Sequence, residues 1–290
     1  MKIITVKKIE NAVAQLAREA NLFLRKDVLT ALKKSYRLEK NKRSKLFLKA
    51  IIDNAVYARK EKLAICQDTG LPLVFIELGQ DVRILGDFKQ AVIKGIALGY
   101  RKGNFRESIV SDPLLRGKPV YQGAVIHMDI VKGSKIKITV MPKGFGCENK
   151  SQLKMFLPTV GIGEIKKFII EAVKTAGPDA CPPYVVGVGI GGTADYASLL
   201  AKKALLKRIK LQRGLSPACP PKQQWREGTV SGLERELLLQ INKLNIGPMG
   251  LGGKTTALAV NIEAYPTHIA GLPVAVNISC HALRSATAVL

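Results

Sequence analysis

The chain has 290 residues, enough for one large domain or two small ones with an ample core. Hydrophobic residues make up 47% and charged residues 23%, an ordinary balance for a globular protein. The longest nearly apolar run, Tyr184 to Ala194, is too short and too rich in glycine for a membrane span. The N-terminal MKIITVKKIENAV turns charged at once and lacks the apolar core of a signal peptide, so we expect a cytoplasmic protein.

The net charge of +24 brings nucleic-acid binding into consideration. The basic residues are nevertheless spread along the chain, without an RGG tract, a helix-turn-helix signature or zinc-finger spacing. Aromatic residues, at 6%, are too few for base-stacking platforms. We therefore favour a solvated basic surface over a nucleic-acid groove. Such a surface would attract an acidic partner or a small dianionic substrate.

In the first half of the chain, periodicity predicts three helices and three strands. The helices are expected at 8–24, 45–60 and 88–103, and the last of them ends at a glycine. PLVFIEL (72–78) is predicted to be a strand. AVIHMDIV (124–131) and KIKITVM (135–141) predict a hairpin across the turn Lys132-Gly133-Ser134.

In the second half, a helix at 162–176 leads through a proline-rich turn to a buried strand, YVVGVGI (184–190). Helices near 194–210 and 231–244 follow, then short strands near 257–262 and 273–279, whereas 211–230 is the least regular loop. We find no internal repeat and no clear linker, so a single domain over 1–290 is expected. The mixture predicts the α/β class, with α+β as the alternative, and mixed sheets flanked by helices.

Two glycine-rich stretches resemble nucleotide-binding motifs without completing them. Gly187 to Gly192 satisfies GxGxxG after a strand, but the region where the acidic partner is needed reads ALLKRIKLQRG. The stretch GLGGKTT (250–256) has Pro248 where a P-loop needs its first glycine. An anion-binding role for its backbone amides and Lys254 stays open.

The stretch AICQDTGLPLVF (64–75) places Cys66, Gln67, Asp68 and Thr69 side by side before a strand. A turn capped by Asp68 and Gly70 explains those two residues but neither Cys66 nor Gln67. A second stretch, KGFGCENKS (143–151), follows a strand and permits a close backbone approach to a carboxylate, or simply a tight turn with a helix cap.

Two further cysteines lie at the edges of predicted strands, Cys181 in ACPPY and Cys280 in NISCH. Each alone is explained as a small buried hydrophobe. The five cysteines contain no CxxC, and their odd number argues against a disulfide framework. With Cys66 they offer three thiols for one iron–sulfur cluster, which would leave one iron open as a Lewis acid.

CQDTG, KGFGCENKS, ACPPY…GIGGT and GLGGKTTALAVNIEAYPTHIAGLPVAVNISC, taken together, resemble the α subunit of the two-subunit class I fumarate hydratase and L-tartrate dehydratase family. The resemblance runs from about residue 10 to the C-terminus. It implies the fold of the N-terminal domain of single-chain members, and a [4Fe–4S] hydro-lyase. It also implies that a β subunit completes the site, because in single-chain relatives a second domain follows and supplies further arginines and the base.

The resemblance also implies a set of site residues. The cluster ligands fall on Cys66, Cys181 and Cys280, and substrate contacts fall on Gln67, Arg106 in NFRES and the Gly146 amide. The proton-moving candidates are Asp68 and His268 in YPTHIAG. The family usually has Ser where this chain has Cys147, which we interpret as a non-ligand. Without the resemblance, Arg106 would be interpreted as a surface arginine at a helix end and His268 as a hydrogen-bonded core histidine.

Several functions stay open. Hydration of fumarate to malate is the leading hypothesis, and tartrate dehydration on the same scaffold is the nearest alternative. A cluster- or nucleic-acid-binding protein without catalysis is a second class, and a nucleotide-binding enzyme is a third, resting on the incomplete glycine motifs.

Overall fold

A computed structural model describes residues 2–121, 123–209 and 230–290. The chain folds into two compact units. Unit 1 comprises Met1–Arg25, Asn54–Phe145 and Arg284–Leu290, and unit 2 comprises Lys26–Asp53 and Gly146–Leu283. The expectation of a single domain over 1–290 stays a prediction.

The described helices are α1 (Val6–Leu22), α2 (Lys26–Leu38), α3 (Lys42–Glu61), α4 (Phe88–Lys102), the four-residue α5 (Phe145–Glu148), α6 (Ile162–Ala176), α7 (Ala194–Leu206) and α8 (Val230–Lys243). A 3-10 turn spans Pro248–Gly250. None of the described helices is both long and apolar enough to cross a membrane.

The described strands are β1 (Lys2–Thr5), β2 (Leu71–Gly79), β3 (Val82–Leu85), β4 (Val125–Val131), β5 (Ile136–Lys143), β6 (Gln152–Phe156), β7 (Tyr184–Gly192), β8 (Ala257–Thr267), β9 (Leu272–Ser279) and β10 (Ala286–Val289). The α/β class with mixed sheets and flanking helices is confirmed. The loop predicted at 211–230 lies outside the described residues, except Val230, which begins α8.

Unit 1 contains a four-stranded sheet of order β10-β5-β2-β4. Its central strand β2 is parallel to β4 and antiparallel to β5. Helices α1 and α4 pack against each other, and α1 also packs on β5. A Cβ at Gly95 or Gly99 would come within 2.7 or 2.5 Å of a carbonyl oxygen of α1, so these glycines let the helix backbones touch.

The predicted hairpin of β4 and β5 is wrong, because β2 lies between the two strands. Residues 132–135 cross the end of β2 at Gly79, where a Cβ would stand 2.3 Å from the Gly133 oxygen. Two backbone hydrogen bonds fix the crossing, from the Gly79 amide to the Lys135 carbonyl and from the Gln80 amide to the Val131 carbonyl, each 2.9 Å. Strand periodicity cannot reveal such a crossing, because it does not encode the pairing partner.

Unit 2 contains a second four-stranded sheet, of order β6-β9-β7-β8. Helix α7 packs on β7, α8 on β8 and α6 on β9. The glycines of the GxGxxG pattern explain the tight packing of α7: a Cβ would lie 2.1 Å from the Ala201 oxygen at Gly187 and 2.0 Å from the Ala197 oxygen at Gly189. These glycines therefore serve helix–sheet contact.

The two sheets have the same topology. In each, the central strand (β2 or β7) is parallel to the next strand of the same sheet in chain order (β4 or β8) and antiparallel to the one after that (β5 or β9). The fourth strand of each sheet follows the other sheet's third strand in the chain. β6 follows β5 but pairs with β9, and β10 follows β9 but pairs with β5. The fold therefore repeats a strand pattern that the sequence does not reveal as a repeat.

We expect Gly189→Ala to destabilise the chain by about 2 kcal/mol or more, because the new Cβ would overlap the Ala197 carbonyl. Urea denaturation measures the change. Gly163→Ala is the matched control, since it lies in α6 with open space around a Cβ, and it should be neutral or slightly stabilising. Equal stability of both variants would contradict the close contact.

Candidate active site

Asp68 lies half-buried in the loop that leads into β2, and its carboxylate is held by backbone amides. Oδ1 accepts from the Gly70 amide at 2.9 Å, and Oδ2 accepts from the Phe145 amide at 2.8 Å. A Cβ at Gly144 would lie 2.9 Å from Oδ2, so the glycine leaves room for the carboxylate in this position. The orientation of the carboxylate is thereby fixed, while each oxygen keeps a lone pair for a further partner.

The loop that carries Arg106 is joined to the Asp68 loop within unit 1. Thr69 Oγ1 donates to the Arg106 carbonyl at 2.8 Å, and the Tyr100 hydroxyl donates to the Thr69 carbonyl at 2.7 Å. Arg106 and Gln67 are exposed, whereas Cys66 is half-buried. Unit 1 therefore brings the predicted residues Cys66, Gln67, Asp68 and Arg106 onto two adjoining loops.

Cys181 and Cys280 lie at the same end of the unit 2 sheet. Cys181 precedes β7, Cys280 follows β9, and these strands pair antiparallel with Val185 opposite Ser279. The amide of His281 donates to the Cys181 carbonyl at 3.3 Å, and its Nδ1 lies 3.0 Å from the same oxygen. Because a carbonyl only accepts, Nδ1 of His281 carries a proton. Both thiols are half-buried.

Cys181 also has an unusual backbone conformation. Its φ of 55° lies in the left-handed region, which is uncommon for a residue with a side chain. Such conformations concentrate at functional sites, where surrounding contacts maintain them. The hydrogen bonds from His281 are contacts of that kind.

Cys147 lies beside the Cys181 segment in unit 2. It is buried, and its Sγ donates to the Ala180 carbonyl at 3.4 Å. The pKa of neighbouring Tyr184 is raised, mainly by burial and secondly by its electrostatic interaction with Cys147. The non-ligand role of Cys147 stays a prediction, and Cys219 lies outside the described residues. Gly146, next to Cys147, is exposed, and a Cβ there would meet nothing within 4 Å.

His268 is not brought to Cys181 and Cys280. It follows β8, whose Thr267 pairs with Gly192 at the far end of β7. The eight residue steps from Tyr184 to Gly192 correspond to about 26 Å of strand. His268 is exposed and its Nδ1 accepts from the Ala270 amide at 3.1 Å, so the neutral ring carries its proton on Nε2.

The GLGGKTT segment already holds an internal carboxylate. The buried Glu39 accepts from the Lys254 amide at 2.8 Å through Oε2, and a Cβ at Gly253 would lie 2.6 Å from that oxygen. Ser44 Oγ donates to the Gly252 carbonyl at 2.6 Å. The segment thus binds an acidic side chain of its own chain, which removes the basis for a nucleotide phosphate there.

Sequence reasoning missed Arg284 and His281, which touch the candidate segments. Arg284 is buried and its Nη2 donates to the Asp68 carbonyl. The signal available in the sequence is its position, a single charge within the otherwise uncharged stretch HALRSATAVL directly after Cys280. A charge so placed is a candidate for burial with a specific partner.

The family model described as fumarate hydratase (Fumerase) matches residues 10–289. This match over nearly the whole chain defines the class of protein as a hydro-lyase. The chain belongs to the fumarate hydratase (Fumerase) family.

Two relatives bear a more particular name. The chain is 39% identical to the "Putative L(+)-tartrate dehydratase subunit alpha" of Methanocaldococcus jannaschii, over 96% of either chain. It is 28% identical to the "L(+)-tartrate dehydratase subunit alpha" of Escherichia coli (strain K12), over 97% of this chain and 90% of that relative.

The residues present fit an iron–sulfur cluster in donor type. Cys66, Cys181 and Cys280 are half-buried thiols, and the last two are adjacent within unit 2. Among residues 2–121, 123–209 and 230–290, no three His, Cys, Asp or Glu side chains are grouped as a single metal ion requires. A four-iron cluster is a larger group whose thiolates bind separate irons.

We expect Tyr100→Phe to remove a pH-dependent part of the stability. Burial raises the pKa of Tyr100 to about 12. The unfolded chain therefore loses this proton near pH 10, before the folded chain does, so its contribution is complete below pH 10 and is lost as pH rises towards 12. Between pH 8 and pH 11.5, the unfolding free energy of the wild type should fall by about 2 kcal/mol more than that of the variant.

Urea denaturation at pH 8, 10 and 11.5 measures this difference between the two proteins. Tyr57→Phe is the control, because Tyr57 is exposed. Parallel pH profiles for wild type and Tyr100→Phe would contradict a buried, neutral Tyr100 hydroxyl.

Proposed function

We propose that the chain is the α subunit of an iron–sulfur L-tartrate dehydratase, which removes water from tartrate to give oxaloacetate. The observation that carries the proposal is the joining of the Cys181 and Cys280 segments by His281, in a chain of a hydro-lyase family. The motifs alone place fumarate hydration first, but the names of the relatives favour tartrate. Fumarate hydration is the second candidate, supported by the family description.

The proposed cluster ligands are Cys66, Cys181 and Cys280, which leave one iron of a [4Fe–4S] cluster without a protein ligand. When bound, this cluster supplies a Lewis acid that polarises the substrate hydroxyl and a carboxylate. The assignment of three ligands to one cluster rests on the motifs, since the structure describes Cys66 in unit 1 and the other two in unit 2. On this proposal, both units belong to one catalytic domain over 1–290.

Asp68 is the proposed proton donor to the leaving hydroxyl. Its two amide contacts fix the carboxyl plane and leave a lone pair on each oxygen, where the carboxylic acid form holds the proton that it gives to the leaving oxygen. Gln67 and Arg106 are exposed on the adjoining loops, where an amide and a guanidinium can bind the distal carboxylate. The Gly146 amide is the proposed donor to a substrate carboxylate.

His268 remains a second candidate for proton transfer. Its neutral ring presents Nε2–H, which is able to donate. Its position at the opposite end of the unit 2 sheet from Cys181 and Cys280 makes Asp68 the first choice. Loss of activity in His268→Gln with Asp68 intact would reverse that order.

The proposed partner is a β subunit that completes the site. The relatives are named as α subunits, and this chain covers them almost completely. A net charge of +24 favours an acidic surface on such a partner. We propose a cytoplasmic location for the assembly.

The proposed function predicts activity of the α chain with its β subunit under anaerobic conditions. We expect kcat/KM for L-tartrate dehydration to exceed that for malate dehydration by about tenfold or more, since a site built to bind the second hydroxyl rejects a substrate that lacks it. Asp68→Asn should lower kcat by about a hundredfold or more. Oxaloacetate and fumarate formation measure the two reactions.

The outcomes separate the candidates. A preference for malate and fumarate would support the second candidate. Absence of both reactions in a cluster-loaded complex would contradict the hydro-lyase proposal and favour a cluster-binding protein without catalysis.

A further inference from the structure

We propose that Arg284 is a positioning residue, which holds the peptide after Asp68 and thereby aims the Asp68 carboxylate. The inference rests on the proposed function, because it concerns the same site. Arg284 lies two residues before β10, whose Ala286 pairs with Val140 of β5. It is therefore anchored to the same unit and sheet as Asp68.

Arg284 is a buried cation with few partners. Only 4% of its surface is exposed, and its Nη2 donates to the Asp68 carbonyl. Its Nε is buried and makes no hydrogen bond among the described residues. Among residues 2–121, 123–209 and 230–290, no carboxylate forms an ion pair with Arg284. Burying an uncompensated guanidinium is costly, and an apolar residue of similar volume would be cheaper.

The partner of Arg284 is the carbonyl of Asp68 itself, which belongs to the peptide between Asp68 and Thr69. The following carbonyl, that of Thr69, is held by the Tyr100 hydroxyl. The Asp68 carboxylate is held by the amides of Gly70 and Phe145. Without Arg284, the peptide between Asp68 and Thr69 is able to rotate about its flanking dihedrals. The carboxylate would then leave its two amide donors.

The role explains why a charged donor stands at this position. A guanidinium reaches the carbonyl through a planar, rigid fork that loses little freedom on binding. A lysine at the same position has a flexible stem and a single point charge, and it would hold the peptide less exactly. Small displacements of a reacting group are sufficient to lower the rate strongly.

Two variants in the full-length α chain test this role. Arg284→Met removes the donor and the charge while keeping a long apolar side chain, and Arg284→Lys keeps the charge. Arg83→Met is the matched control, because Arg83 is exposed on β3 of the same unit. Melting temperature and circular dichroism establish first that each variant is folded.

The first readout is amide hydrogen exchange, which needs no activity. The Gly70 and Phe145 amides bond directly to the Asp68 carboxylate, so their exchange reports its position. We expect both to exchange about tenfold faster or more in Arg284→Met, with an intermediate increase in Arg284→Lys. The Val188 amide in the centre of β7 should be unchanged in all three variants.

The second readout is steady-state kinetics of the complex with its β subunit. Arg284→Met should lower kcat about a hundredfold with KM changed less than about threefold, and Arg284→Lys should restore part of kcat. A merely structural role would instead accelerate exchange throughout the chain. Equal losses in Arg284→Lys and Arg284→Met would also contradict positioning by the charged donor.

Amide exchange and kinetics together distinguish a failure of the Arg284 positioning role from a failure of the proposed dehydratase function. Unchanged Gly70 and Phe145 exchange in a folded Arg284→Met would overturn the positioning role, whatever the activity. Faster exchange with an inactive wild-type complex would leave the positioning role intact and overturn the proposed function. If Arg284→Met does not fold, Arg284→Lys decides, and wild-type exchange together with wild-type kcat would overturn the role.

Discussion

The antiparallel pairing of β7 with β9 is the interaction on which the candidate site depends. The register that sets Val185 opposite Ser279 brings the segment before β7 and the segment after β9 to one end of the sheet. His281 then joins them through the Cys181 carbonyl. A shift by one residue would turn the side chains of β9 to the other face and displace Cys280 from Cys181. His268 lies at the opposite end of the same sheet, because β8 runs parallel to β7.

The repeated strand pattern gives the two loop systems an equivalent origin. Cys66 and Asp68 precede the central strand β2, just as Cys181 precedes the central strand β7. In both sheets a short connection leads past the end of the central strand, at Gly79 in one and beside Gly192 in the other. The absence of a side chain at Gly79 lets backbone cross backbone there. Reactive residues at the ends of regular strands are thereby held by a rigid scaffold.

Local patterns predicted α1, α3, α4, α6, α7 and α8, the buried strands and the α/β class, because apolar periodicity reports burial, but they missed α2 (Lys26–Leu38). They failed for the pairing of β4 and β5, which depends on contacts distant in sequence. The motifs identified Cys66, Asp68, Cys181 and Cys280 as candidates. Arg284 was missed because its one local signal, a lone charge in an uncharged stretch, does not reveal its partner, the Asp68 carbonyl, which is distant in sequence. The glycine patterns were misleading because the sequence does not distinguish a glycine required for close helix packing, as at Gly189, from one that lets the backbone approach a phosphate.

The most direct measurement of the central claim is the iron and inorganic sulfide content of the anaerobically reconstituted chain, for the wild type and for five single Cys→Ser variants. We expect about four irons and four sulfides per chain in the wild type and in the Cys147 and Cys219 variants. We expect loss of the cluster in the Cys66, Cys181 and Cys280 variants. A wild type without a cluster, or a cluster that requires Cys147 and tolerates loss of Cys280, would contradict the three-cysteine site.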